Sequence, residues 1–239
     1  MTPDPSAVAP FYSAVLGWTF TEPDEKFGGY VMAMKDGAPA AGVGPLMEGS
    51  RSDWTLYFAS ENADATAARV SGADGAMFAE PADVGSLGRM FVATDPTGAV
   101  FGVWQAKDFA GAAVTNAPGG LVWEDLRSTD PDAARTFYNA VFDFAYDHVK
   151  GAPFDYTSFA TASDPRPLGG IGSEAPGTDG VDSHWLVYFG VDDVATAITA
   201  ATGNGGAAPV PAFETPYGTM AGLTDPAGAA FYVVQMSAK

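Results

Sequence analysis

The sequence predicts an α+β fold made of four copies of a β-α-β-β-β unit, arranged as two tandem halves. Three observations carry this reading. The chain repeats itself along its length, strand-like and helix-like periodicities alternate inside each repeat, and 29 Gly with 18 Pro in 239 residues supply the turns that many short elements need.

The repeat consists of three blocks that keep one order and a nearly constant offset of about 126–131 residues. The first runs from Asp4-Pro5 to Phe11-Tyr12-Ser13-Ala14-Val15 and returns from Asp130-Pro131 to Phe137-Tyr138-Asn139-Ala140-Val141. The second, Trp54-Thr55-Leu56-Tyr57-Phe58, returns as Trp185-Leu186-Val187-Tyr188-Phe189. The third, Thr94-Asp95-Pro96-Thr97-Gly98 through Phe101 to Gln105, returns as Thr224-Asp225-Pro226-Ala227-Gly228 through Phe231 to Gln235. Two domains follow, residues 1–109 and 121–239, joined over 110–120 by small residues suited to a linker.

Each half divides again. In the second half Trp123–Arg127 reads as a strand, Asp130 is an N-cap with Pro131 at the first helical position, and Ala133, Ala134, Phe137, Tyr138 and Val141 recur at helical spacing. Short Gly-punctuated runs follow at Tyr156–Ala160 and Leu168–Ile171. The same order then returns as a strand over His184–Val191, a helix over Asp193–Ala201, and a closing strand Phe231–Gln235 after the Asp225-Pro226-Ala227-Gly228 turn. The first half opens directly on its helix, and nothing upstream of Asp4 matches Leu121–Arg127. The first strand of the first module is therefore absent, so either further residues precede these or another segment covers that sheet edge.

With 29 acidic against 11 basic residues the formal charge is −18, which argues against nucleic acid and anionic membrane surfaces as partners. A hydrophobic content of 47% supports packed cores rather than disorder. The absence of cysteine removes disulfides, thiolate nucleophiles and zinc–thiolate sites. The start carries no basic and apolar leader pattern and no run of apolar residues is long enough to span a bilayer, which reads as a soluble, cytoplasmic protein.

A strand, then Asp-Pro-x-Ala-Ala-x-x-Phe-Tyr, then an Asp-Pro-x-Gly turn before a final strand, all repeated, resembles the vicinal oxygen chelate superfamily of glyoxalase I, bleomycin-resistance proteins and extradiol dioxygenases. The resemblance covers nearly the whole chain and its tandem form resembles two-domain glyoxalase-like proteins of actinobacteria. It implies modules that pair so that two sheets curl around a cleft, and a divalent metal held there by His and Glu. Carried onto this sequence, the first-strand His falls on Trp123, or on Glu124 with the register moved by one. The next His falls near Leu186 and Thr55, the final-strand Glu on Tyr232 and Gly102, and the remaining carboxylate near Ala40–Gly42 and Leu168–Gly170. Apart from Glu124 in the shifted register these side chains are not ligands, and two histidines in the chain cannot supply a metal site. No metal and no other cofactor is expected.

With the former ligand positions taken as inward-facing, strand alternation gives the cleft Asp53, Thr55, Tyr57 and Trp104 with Gly102 from the first half, and Trp123, Asp125, His184, Leu186, Tyr188 and Tyr232 from the second. This lining suits a flat, largely apolar organic molecule. Tyr57, Tyr188, Trp54 and Trp185 equally fit a packed core, and Leu56, Phe58, Val187 and Phe189 on the opposite face are helix-packing positions. His184, oriented by Glu124 or Asp125, is the candidate acid or base, against the plainer reading of a strand-edge histidine. His148 reads as surface, and Arg89 and Tyr217 either rim the cleft or, for Arg89, make a surface ion pair.

The function expected is a metal-independent small-molecule-binding protein that sequesters or transforms an aromatic or polyketide-like compound, with antibiotic resistance as one setting. The alternative is a metal-free isomerase, cyclase or lyase using His184 with a carboxylate; a metal-dependent lyase or dioxygenase and a protein with vestigial clefts stand behind these. The chain is expected as a monomer or homodimer whose partner is a small aromatic or apolar ligand.

Overall fold

The computed structural model describes residues 1–46, 51–152, 154–162, 164–173 and 181–236. The first quarter holds α1 (Pro5–Leu16), β1 (Thr19–Phe20), β2 (Val31–Lys35) and β3 (Ala38–Val43). The second holds β4 (Tyr57–Ala59), α2 (Ala63–Gly72), β5 (Ala76–Met77), β6 (Ala82–Val84), β7 (Gly88–Thr94) and β8 (Val100–Ala106). The third holds β9 (Leu121–Ser128), α3 (Pro131–Phe142), β10 (Ala145–His148), β11 (Tyr156–Ala160) and β12 (Gly169–Ser173). The fourth holds β13 (His184–Gly190), α4 (Val194–Gly203), β14 (Ala207–Thr215), β15 (Gly218–Thr224) and β16 (Ala230–Met236). This is the expected mixed fold of repeated modules, with the first opening on its helix. Among the described residues no helix is long and apolar enough to cross a membrane.

Local chemistry accounts for the helices. The Asp4 carboxylate accepts from the amides of Ser6 and Ala7, Asp130 accepts from Ala133, and each is followed by proline at a position whose missing N–H costs nothing. α1 then stops at Gly17, whose φ of +69° is left-handed and open to glycine without strain.

The chain packs as two compact units. One comprises Met1–Trp54, Gly111–Trp123 and Val187–Lys239, the other Thr55–Ala110 and Glu124–Leu186, so each unit draws on both sequence repeats. In the first unit residues 188–190 of β13 pair in parallel with β16, β16 pairs antiparallel with β15, and β15 antiparallel with β14. In the same unit β3, β2 and β1 form an antiparallel sheet, and α1 lies against α4. Where the third quarter sets β9 beside β12, the first sets only an isolated parallel bridge between Thr2 and Pro45. The apolar faces close on a core that includes Phe11, Leu16, Trp18, Phe189, Leu223 and Phe231. The stretch before β9 is tied to this unit as well: the Ala113 amide donates to Pro39 at 2.7 Å and the Gly119 amide to Gly190 at 2.8 Å.

In the second unit residues 124–128 of β9 run parallel to β12, which carries β11 and β10 antiparallel beyond it. β4 runs parallel to β8, β8 antiparallel to β7, and β7 takes both β5 and β6, while α2 lies against α3. Its core is a ring cluster in which Phe58 meets Trp185 at 5.3 Å and Phe142 at 4.9 Å, and Phe144 stacks on Phe159 at 4.5 Å.

The repeated residues converge in each unit. In the first, the Tyr12 hydroxyl donates to Asp225 Oδ2 at 2.9 Å and the Tyr12 ring meets Trp54 edge-on at 5.6 Å. In the second, Trp185 Nε1 donates to the Tyr138 hydroxyl at 2.9 Å, and burial together with the nearby charge of Asp95 pushes that phenol well above its ordinary value. Asp95 and Asp225 each accept two amides of their own turns, those of Thr97 and Ala99 and those of Ala227 and Ala229. Gln105 and Gln235, next to last in β8 and β16, accept the first amides of α2 and α4 at Ala63 and Val194. The motifs that reveal the duplication are thus caps, turns and core joints.

Candidate functional site

On β9 the register separates two faces. Leu126, fully buried opposite Ile171, marks the helix-packed side, and Asp125 and Arg127 point to the other. There Asp125, itself 3% exposed, accepts from the Tyr156 hydroxyl at 2.5 Å and from the Arg127 guanidinium at 2.8 Å. The guanidinium lies 4.9 Å from the Phe154 ring centre and 5.5 Å from that of Tyr156. Tyr156 can lie across β12 only because Gly170 and Gly172 stand beneath it: a Cβ at either would run into its ring. The first unit repeats the device, with the Tyr30 ring resting across Gly42 of β3 and Gly44 just beyond it.

Glu124 shares the parity of Leu126. A Cβ on its partner Gly169 would meet Glu124 Cγ and Phe159 Cε1, each at 2.7 Å. Burial first, and then the charge of Asp125, pushes the Glu124 carboxyl up to about 8, so it holds its proton at neutrality. His184, at the start of β13, is half-buried and its Nδ1 lies 2.8 Å from the carbonyl oxygen of Asp182.

Across β4, β8 and β7 the buried side is Phe91, Phe101 and Val103, and the other side carries Tyr57, Gly102, Trp104 and Met90. Tyr57 lies over its strand partner Gly102, and the Trp104 ring lies over Gly88 with its Nε1 donating to Phe109 at 2.9 Å. On the corresponding face of the first unit, Tyr188 stacks on Tyr232 with ring centres 4.9 Å apart and 25° between planes. Among the remaining expected residues, Asp53 is bonded to its neighbour amide at 2.9 Å and to Arg51, and Thr55, Trp123 and Leu186 are half-buried. Arg89 makes a paired contact with Asp64 and a second with Asp83, the ion-pair alternative of its two readings. His148, whose Nδ1 lies 3.2 Å from the Tyr156 carbonyl oxygen, is exposed.

Arg127, Tyr156 and Phe154 were not legible as a group in the sequence. The available signal is Gly169-Gly170-Ile171-Gly172, where alternate glycines leave one face of a strand bare for a neighbour's ring.

The donor set does not fit a divalent metal. At the positions to which the family resemblance assigns ligands stand Trp123, Leu186, Thr55, Tyr232 and glycines, and rings occupy the space over Gly42, Gly102 and Gly170. Among the described residues no three His, Cys, Asp or Glu side chains converge in a metal-binding group.

Comparison with known proteins agrees with this architecture. A family model for a glyoxalase-like domain matches residues 1–104, and one for the glyoxalase/bleomycin resistance protein/dioxygenase superfamily matches residues 120–233. CFP32 of Mycobacterium tuberculosis, provisionally named a glyoxylase, is 36% identical over 98% of this chain and 91% of its own. The anthracycline biosynthesis protein DnrV of Streptomyces peucetius is 36% identical over 98% of this chain and 90% of its own. Among solved structures, the Mn(II)-bound glyoxalase from Novosphingobium aromaticivorans aligns over 98% of this chain and 79% of that one, with a TM-score of 0.66 at 19% identity. The 2,2',3-trihydroxybiphenyl 1,2-dioxygenase of Sphingomonas wittichii aligns over 98% and 89%, with a TM-score of 0.64 at 16% identity. At such identities the structural likeness speaks for the fold alone.

Proposed function

The chain belongs to the glyoxalase/bleomycin resistance/dioxygenase superfamily, and from that premise we propose that it binds a planar, largely apolar organic compound of aromatic or polyketide type without a metal, sequestering or transforming it in the cytoplasm. The observation that carries the reading is the replacement of ligand positions by glycine-backed rings, as at Gly102 under Tyr57. Rings held parallel to a sheet offer stacking area, and a few polar groups set orientation. Relatives at 36% identity are named for anthracycline biosynthesis, a compound class built on fused planar rings, which supports the same ligand chemistry.

A second reading, a metal-free isomerase, cyclase or lyase, is favoured by Glu124, which is protonated at neutrality and adjacent in sequence to the ion-paired Asp125. In it His184 moves the proton with one carboxylate as its partner.

A fluorescence titration with aromatic polyketides tests both. Bound ligand quenches tryptophan emission, and Trp104→Ala weakens binding by about 1–3 kcal/mol, as removal of a large apolar contact does. His184→Ala alters turnover and its pH profile if the site is catalytic, and affinity alone if it is a binding site. Absence of binding across the panel overturns the first reading, and absence of turnover of every bound compound overturns the second.

A further inference from the structure

The duplication offers two pseudo-equivalent aromatic faces, and they differ in one respect that bears on ligand binding. In the first unit Tyr188, stacked on Tyr232, is 5% exposed. In the second unit the residue matching Tyr188 is Tyr57, and the residue matching Tyr232 is Gly102. The change from tyrosine to glycine lets the Tyr57 ring lie down across β8, and Tyr57 is 43% exposed. Beside it the Trp104 ring lies over Gly88, and Met90, the partner of Trp104 across β7, is half-buried.

We propose that ligand binding is asymmetric: the face of Tyr57, Gly102, Trp104 and Met90 is the open stacking floor for a planar polycyclic aromatic compound, and the Tyr188–Tyr232 face is closed by its own ring pair. The proposal rests on the reading of the protein as a binder of planar compounds and says which of the two faces serves. A planar occupant is indicated by the geometry, because a glycine beneath an aromatic ring sets that ring parallel to the sheet and turns its other side outward. Exposed flat ring surface is matched best by another flat ring, and a neighbouring methionine adapts to the outline of what is stacked there. On the closed face the corresponding surface of Tyr188 is already spent on Tyr232.

The test uses the full chain and a hydroxylated anthraquinone as probe. Titration calorimetry is expected to give one probe per chain, and Tyr57→Ala to weaken binding at least tenfold, with the fold checked by circular dichroism. Trp104→Leu, on the same floor, carries the same expectation should Tyr57→Ala fail to fold. Two probes per chain, or affinity unchanged in both variants, overturns the asymmetry while the binding function stands. No binding by the unmodified chain of this or any other planar aromatic compound overturns the function and the asymmetry together.

Discussion

The Tyr12 hydroxyl donates to Asp225 Oδ2 at 2.9 Å across 213 residues of sequence, with both residues buried. The bond ties the helix of the first quarter to the last turn of the fourth. Burial first, and then the Asp225 charge, pushes the phenol well above its ordinary value, so it stays a donor at neutral pH.

Tyr12→Phe is therefore expected to destabilise the fold by about 1.5–3 kcal/mol, the range for a buried hydrogen bond to a charged group. Urea midpoints at constant m-value measure it. A loss below about 0.5 kcal/mol would mean that the Ala227 and Ala229 amides alone satisfy Asp225.

Because such ties join opposite halves inside one unit, cutting the chain should not separate it. Phe11 also meets Phe231 at 6.1 Å, and in the other unit Phe101 meets Phe137 at 5.8 Å. A protease site inserted between Ala110 and Gly111, ahead of the hydrogen-bonded stretch that begins at Ala113, should yield two fragments that co-elute in native size exclusion and part only in denaturant. Separation without denaturant would show that each half is held by its own contacts.

Glu124 gives the pH dependence a definite sign. Its folded value of about 8 lies above the ordinary 4.5, so the folded state keeps a proton that the unfolded chain releases. Its contribution is complete below about pH 4.5 and is lost as pH rises towards 8, at about 1.4 kcal/mol per pH unit inside that window. Glu124→Gln should remove this slope, read from denaturation midpoints at pH 5, 6, 7 and 8. Parallel curves for the two proteins would place the carboxyl in water.

The donor set leads to a simple analytical expectation. Elemental analysis of the purified protein after mild chelation should find zinc, iron, manganese and nickel well below one equivalent per chain. One retained equivalent would show ligands converging that the side chains at Trp123, Tyr232 and Gly102 do not supply.

Much of the fold is local and was open to reading in the sequence. Asp4 and Asp130 cap helices, Asp95 and Asp225 close turns, and the parity of Leu126 or Phe101 names the buried side of a strand, because capping, turn geometry and strand alternation act over a few residues. Strand limits were less legible: Trp54, Thr55 and Leu56 carry the repeat motif, yet β4 pairs only from Tyr57, where β8 offers Gly102 as its partner.

What the sequence by itself determined is that two equivalent halves carry the same caps, turns and apolar faces. Only the tertiary structure decided which partner each repeat takes. Tyr12 has two matching aspartates available, Asp95 in its own half and Asp225 in the other, and it bonds Asp225. The same holds for the candidate site: Tyr57 and Tyr188 look alike along the chain, and Gly102 or Tyr232 on the neighbouring strand sets one ring exposed and the other stacked. Duplicated sequences offer degenerate local choices, and that degeneracy is lifted only when strands pair and cores close, since burial and register depend on residues far apart along the chain.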